Sequence, residues 1–207
     1  MKALFRIMAL GGMVMLLAGC WGSGPETSPV TPIRFGILNS FPDHPLYLKK
    51  KTLVAMHKSE TITALSPKSQ FSESVKAFLE EKGYVAETVA DKSALKDGRV
   101  DMLIEIVPRQ VHKIEGMVAY GFSDRKFLLG IVNQPPRSYV SVELELSRKN
   151  SVRVVKTGRE DRFSGLDIET MPGTWEELSG EDKEMFEANL RDNMAKAAYI
   201  LLNKLKI

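Results

Sequence analysis

The sequence predicts an α+β domain, a mixed and mainly antiparallel sheet with two main helices packed on one face. Three observations lead there. Residues 67–82 and 180–206 repeat apolar side chains at helical spacing, each with start and stop signals of its own. Short β-favouring runs, separated by turn residues, fill most of the remainder. In residues 139–146 the alternation is strict, with Val140, Val142, Leu144 and Leu146 on one face and Ser141, Glu143 and Glu145 on the other. That is the pattern of a half-buried antiparallel strand.

The elements follow in order. Residues 33–38 form a short apolar run closed by Asn39 and Pro42, hence a strand, and residues 52–56 and 61–65 read as two more around the turn Pro42-Asp43-His44-Pro45. In the helix 67–82, Ser66 is placed to cap, Pro67 suits the first helical position, and Gly83 suits a left-handed end. Its stripe is Phe71, Val75, Phe78 and Leu79. A strand over 84–89, a turn at Asp97-Gly98 and a strand over 100–107, ended by Pro108, come next. Strands are then expected at 117–122, 127–132, 139–146 and 152–157, separated by Ser123-Asp124-Arg125, Asn133-Gln134-Pro135-Pro136 and Lys149-Asn150. Residues 159–174 are polar and contain glycine, so a loop is expected up to Pro172-Gly173. In the last helix Ser179 caps, Glu181 and Asp182 oppose the helix dipole, and Phe186, Leu190, Met194, Ala197, Leu201 and Leu205 form a stripe for packing on the sheet.

The amino-terminal end has a different character. Lys2 and Arg6 precede an uncharged apolar stretch over residues 7–19, and small residues Ala18 and Gly19 stand before Cys20. Thirteen such residues are fewer than the roughly 20 needed to cross a bilayer, so this is an export signal rather than a span. Leu17-Ala18-Gly19-Cys20 resembles the lipobox of bacterial lipoproteins. The resemblance implies a diacylglyceryl group on the Cys20 thiol, cleavage between Gly19 and Cys20, and attachment to a membrane through the acyl chains. Cys20 is the only cysteine, which excludes an intramolecular disulfide. The expected organisation is a signal peptide over 1–19, a tether rich in Gly, Ser, Thr and Pro over 20–32, and a single α+β domain over 33–207. Trp21, not an aspartate, follows the cysteine. By resemblance to enterobacterial-type lipoproteins, that implies the outer membrane, facing the periplasm.

Charge narrows the partners. The chain has 207 residues with 29 basic and 26 acidic side chains, and loss of Lys2 and Arg6 with the signal leaves 27 and 26, a balance of +1. No nucleic-acid partner is expected from so even a balance. The only dense basic run is Lys49-Lys50-Lys51, with Lys58 nearby. It reads either as a contact for anionic headgroups or as a solvated turn between two strands.

Catalytic and metal signals are sparse. There is no G-x-S-x-G elbow, P-loop, G-x-G-x-x-G or H-E-x-x-H motif, and His44, His57 and His112 are scattered, so no metal or cofactor is expected. Asp101 and Glu105 share a strand face, but about 13 Å apart, beyond the roughly 6.5–9.5 Å of an inverting glycosidase pair. The candidate binding cluster is aromatic: Tyr120-Gly121-Phe122, Phe127 and Tyr139, where rings interleaved with glycine either stack on a ligand or fill a hairpin core. With Trp175 before the final helix, this pattern is similar to uncharacterised bacterial envelope proteins. The architecture also resembles the small α/β domains of penicillin-binding-protein activators and the curli secretion lipoprotein, a likeness of fold that brings no activity. The expected function is a lipid-anchored, non-enzymatic binding or assembly module with a protein partner in the envelope. The alternatives are an envelope hydrolase or lyase and a structural subunit of a lipoprotein assembly.

Overall fold

The longest strand sets the arrangement of the others. The computed structural model describes residues 32–52, 55–112, 116–127, 133–149 and 151–207. Its elements are β1 Arg34–Asn39, β2 Leu46–Thr52, β3 Ala55–Thr61, α1 Lys68–Glu81, β4 Val85–Thr88, α2 Ser93–Lys96, β5 Met102–Pro108, β6 Tyr120–Phe127, β7 Asn133–Arg148, β8 Ser151–Gly165 and α3 Gly180–Lys204, with a 3-10 turn over Trp175–Glu177. Gly19, Cys20 and the expected signal lie outside the described residues, as does most of the expected strand 127–132. The fold is mixed α+β, with both long helices on one face of the sheet.

One edge of β7 is shared by two strands. β6 pairs with it from Lys126↔Asn133 to Tyr120↔Val140, and β5 from Pro108↔Val142 to Met102↔Arg148. β8 takes the opposite edge, from Arg137↔Gly165 to Arg148↔Ser151. So β5 and β6 lie end to end and meet at Ser141, whose N–H donates to the Ala119 carbonyl at 2.6 Å and whose carbonyl accepts from Arg109 N–H at 3.1 Å. Between them residues 109–112 and 116–119 leave the sheet as a tongue, closed by the bridge Gln110↔Val118. Each half extends into a wing, β6–β2–β3 at one end of β7 and β5–β1–β4 at the other. β7 has 16 residues and spans about 50 Å at ~3.4 Å per residue. Pro32 enters β1 at the Arg148 end, whereas β2 and β6 finish at the Asn133 end.

The helices cover the face that carries Phe35, Ile37, Ile104, Ile106, Phe122, Val140, Val142 and Leu144, all at most 2 % exposed. Their predicted stripes are the buried ones: Phe71, Val75, Phe78 and Leu79 on α1, and Phe186, Leu190, Met194, Ala197, Leu201 and Leu205 at the carboxyl-terminal side. The helices also touch each other, the Phe78 and Tyr199 rings meeting edge-to-face at 5.7 Å. Gly83, at φ +82°, ends α1 as expected: its N–H donates to Glu80 and the Tyr84 N–H to Leu79, the six-to-one and five-to-two pattern that uses up orphan carbonyls. Ser179 caps α3 by accepting from Asp182 N–H at 3.0 Å. The start of α1 differs, since Pro67 holds the cap position without a side-chain bond and Ser66 does not cap.

Several boundaries move, always because pairing outweighs local composition. The lysine run is not a turn but part of β2, and the apolar pair Leu53-Val54, expected inside a strand, lies outside the described residues. Only Thr61 of the expected strand 61–65 is in a strand; Ile62 and Leu65 are buried beyond it. Ser123-Asp124-Arg125 continues β6, and Asn133 to Pro136 opens β7. There β7 carries one extra residue, since Ser123 faces Arg137 while Arg125 faces Gln134, and a bulge tolerates the two prolines that lack ladder donors. β8 runs on through the expected loop to Gly165. Its central Gly158 leaves room for α3, because a Cβ there would lie 3.2 Å from Leu201 Cδ2.

Candidate binding surface

The register separates the expected aromatic cluster. Tyr120 and Phe122 stand on β6 facing the helices, whereas Tyr139 pairs with Gly121 between them and so takes the other face. All three are 0 % exposed, which makes them core rather than an open stacking platform. Phe122 stacks on Trp175 at 5.7 Å, and Tyr139 packs with Leu48, Val111 and Met117 beneath the tongue. Phe127 ends β6, and its side chain lies outside those described.

A second group of polar residues, which the sequence does not bring together, straps residues 171–175 onto the β2–β3–β6 wing. Lys49 Nζ donates to the Met171 carbonyl at 2.6 Å, and the Met171 N–H donates to buried Asp124 Oδ2 at 3.3 Å. The Tyr47 hydroxyl donates to the Pro172 carbonyl at 3.0 Å, and Glu60 Oε1 accepts from the Trp175 N–H at 2.5 Å. Burial, with the charges of Glu60, Asp124 and Glu177 nearby, pushes the Tyr47 hydroxyl well above its usual pKa. These groups bond main-chain atoms of this chain and so hold Trp175 in place, while the second oxygen of Asp124, Oδ1, is buried without a hydrogen-bond partner among the described residues.

The face away from the helices is less wet than its alternation suggests. Ser141 is 0 % exposed and donates to Asp161 Oδ1 at 2.5 Å, and Glu143 pairs with Arg109 of the tongue. Glu105 and Glu145 stand directly opposite across β5 and β7, and Lys92 reaches Glu105 Oε2 at 2.6 Å. The bond to Glu105, aided by Glu145, raises the Lys92 pKa. Asp101 is engaged elsewhere, receiving Arg34 Nε at 3.2 Å, Nη2 at 3.1 Å and the Arg34 N–H at 3.0 Å, which hold its carboxyl below the usual range. The two acids are therefore bound to different cations on neighbouring elements and do not face one substrate position. His44 Nδ1 lies 2.8 Å from the Leu65 carbonyl and donates to it. Among the described residues no group of three His, Cys, Asp or Glu could hold a metal.

What remains open is an edge. Among the described residues no strand pairs with the outer side of β8, which is 15 residues long. Val154, Val155 and Phe163 on it are 42 %, 43 % and 36 % exposed. Several of its charges turn inward: Lys156 Nζ donates to the Leu205 carbonyl, Arg162 Nε to Asn193 Oδ1, and Glu160 pairs with Lys204. Charged side chains that normally blunt an edge strand are thus drawn towards α3.

No family model matches the chain, and no curated protein matches it. Among solved structures it is similar to protein XCC0632 from Xanthomonas campestris, of family DUF330, at 12% identity and a TM-score of 0.47, covering 86% of this chain and 89% of that one. It is also similar to the hypothetical protein CT253 from Chlamydia trachomatis, at 7% identity and a TM-score of 0.42, covering 85% and 96%.

Proposed function

We propose that this chain is a lipid-anchored, non-enzymatic binding module of the cell envelope, held at Cys20 in the outer membrane and facing the periplasm. Along β8 it captures an extended segment of a protein partner by strand addition. The observation that supports this is the outer edge of β8, which no strand pairs among the described residues, with Val154, Val155 and Phe163 exposed beside it. Main-chain groups of such an edge give affinity to any extended peptide, and alternate side chains give specificity.

Two measurements on the full chain test the two halves of this reading. Intact mass of membrane-extracted protein is expected to show a chain starting at Cys20 with added acyl mass, and Cys20→Ala is expected to leave the outer-membrane fraction. Retention of residues 1–19, or no lipid, overturns the anchor. For capture, a photoreactive residue at Val155 or Phe163 is expected to give one discrete heterologous crosslink in cells, and one at exposed Glu184 none. Equal products at all three positions, or none, overturn strand addition. A product of twice the chain's own mass replaces it with self-assembly.

A further inference from the structure

The outer edge of β8 is not open evenly. The Ser141 main chain points towards β5 and β6, bonding Ala119 and Arg109, so its cross-strand partner Asp161 turns its own N–H and carbonyl away from β7. By alternation Arg159, Phe163 and Gly165 do the same. Two of these outward carbonyls are already taken by α3, since Asn189 Nδ2 donates to Gly165 at 2.9 Å and Lys204 Nζ to Arg159 at 3.4 Å. Between them lie Asp161 and Phe163, with whose outward groups no strand pairs among the described residues. The helix thus frames one stretch of the edge.

Arg162 stands at the centre of that frame and points to the helix side, where its Nε donates to Asn193 Oδ1 at 3.1 Å. That partner is neutral, and the acids next to it along the strand are engaged elsewhere, Asp161 with Arg159 and Glu160 with Lys204. Beside it runs a groove of about 490 Å³, walled by Arg162 and by Ala195, Lys196, Tyr199 and Ile200 of α3. Tyr199 is 60 % exposed. Lys196 pairs with Asp192 at 2.7 Å, but both side chains are more than half exposed, and such a pair contributes little. A strand added ~4.8 Å outside β8 would raise its helix-side residues against this flank of α3.

We propose that the segment captured on β8 carries an acidic side chain opposite Arg162 and a large apolar one two residues away, laid in the groove against Ala195, Tyr199 and Ile200. The groove has this role only if β8 captures a strand at all, so it rests on the function proposed above. Charge selects the acid. A cation with a neutral partner at an open edge gains from a cross-strand carboxylate, whereas a lysine there would be opposed by Arg162 and Lys196. Spacing selects the second residue, because positions two apart share a face. α3 runs from Asn193 beside Arg162 to Leu201 over Gly158, so residues 195–200 lie along the same course as the helix-side positions of an added strand.

The test is fluorescence anisotropy of three labelled eleven-residue peptides, threonine except near the centre, on the full chain. The first has a central aspartate with phenylalanine two residues to either side, which serves both strand directions. The second has lysine in place of the aspartate, and the third keeps the aspartate but has threonine in place of both phenylalanines. The first is expected to bind at least ~10-fold tighter than either of the others, through burial of aromatic surface and the sign of the cross-strand pair. Arg162→Glu is expected to reverse the order of the aspartate and lysine peptides. Lys196→Glu, on the exposed side of α3, is expected to narrow their difference, and it decides the matter if the first variant does not fold. Equal binding of all three peptides, or an unchanged preference in the folded variants, overturns the proposal while leaving edge capture in place. Binding of none overturns both.

Discussion

Gly121→Ala is expected to lower the unfolding free energy by about 3 kcal/mol or more, at the upper end of what overpacking costs. A Cβ at this position would lie 2.0 Å from the Leu46 carbonyl oxygen and 2.8 Å from its nitrogen. Both are main-chain atoms of β2, so no side chain can swing away to make room. The clash sits where β2 joins β6, and relief requires the β2–β3 pair to move off the sheet as a unit. A backbone φ of +158° adds a conformation that side chains seldom take. Urea unfolding of the folded chain measures the change. Gly165→Ala, where nothing lies within 4 Å of the new atom, is the matched control and is expected to be nearly neutral. Equal midpoints for the two variants would show that β2 yields at little cost.

Trp175→Ala is expected to cost about 4 kcal/mol, the middle of the range for removing a large buried aromatic. Trp175 is 4 % exposed and stacks on Phe122, with the rings of Tyr47 at 6.2 Å and Phe186 at 6.0 Å standing edge-on. It therefore joins β2, β6 and α3 at one point, and the cavity left behind has walls on three elements that cannot all close in. Its N–H also anchors residues 171–175 through Glu60, a bond that the substitution keeps, so the measured loss belongs to the ring. For a chain of this length each kcal/mol moves Tm by roughly 2–4 °C, and a fall of about 10 °C or more is expected in a thermal melt. A fall below about 3 °C would mean that the ring's neighbours repack.

The elements legible in the sequence were those whose own residues carry the signal. The α3 cap at Ser179, the glycine end of α1 at Gly83, both helical stripes and the alternation of Val140 to Leu146 are local features, and each stands where expected. Misplaced elements are those made by pairing. Lys49 to Lys51 has no β-favouring composition, yet it lies between two partner strands; Gly158 to Arg162 looks like loop, yet β7 and α3 hold it extended. The aromatic cluster failed for a subtler reason. Tyr120, Phe122 and Tyr139 are close along the chain, but a register that pairs Tyr139 with Gly121 sends it to the opposite face, and register is invisible without the partner strand. Likewise Lys49 and Asp124, which both bond Met171, belong to distant stretches of the sequence that only the parallel β2–β6 pairing brings level.

Because β5 and β6 share one edge of β7, the β6–β2–β3 and β5–β1–β4 wings are joined, among the described strands, only through β7. That strand is the spine of the sheet: a break in it near Ser141, where the two wings meet, would leave β8 alongside as the described strand that still splints the halves together.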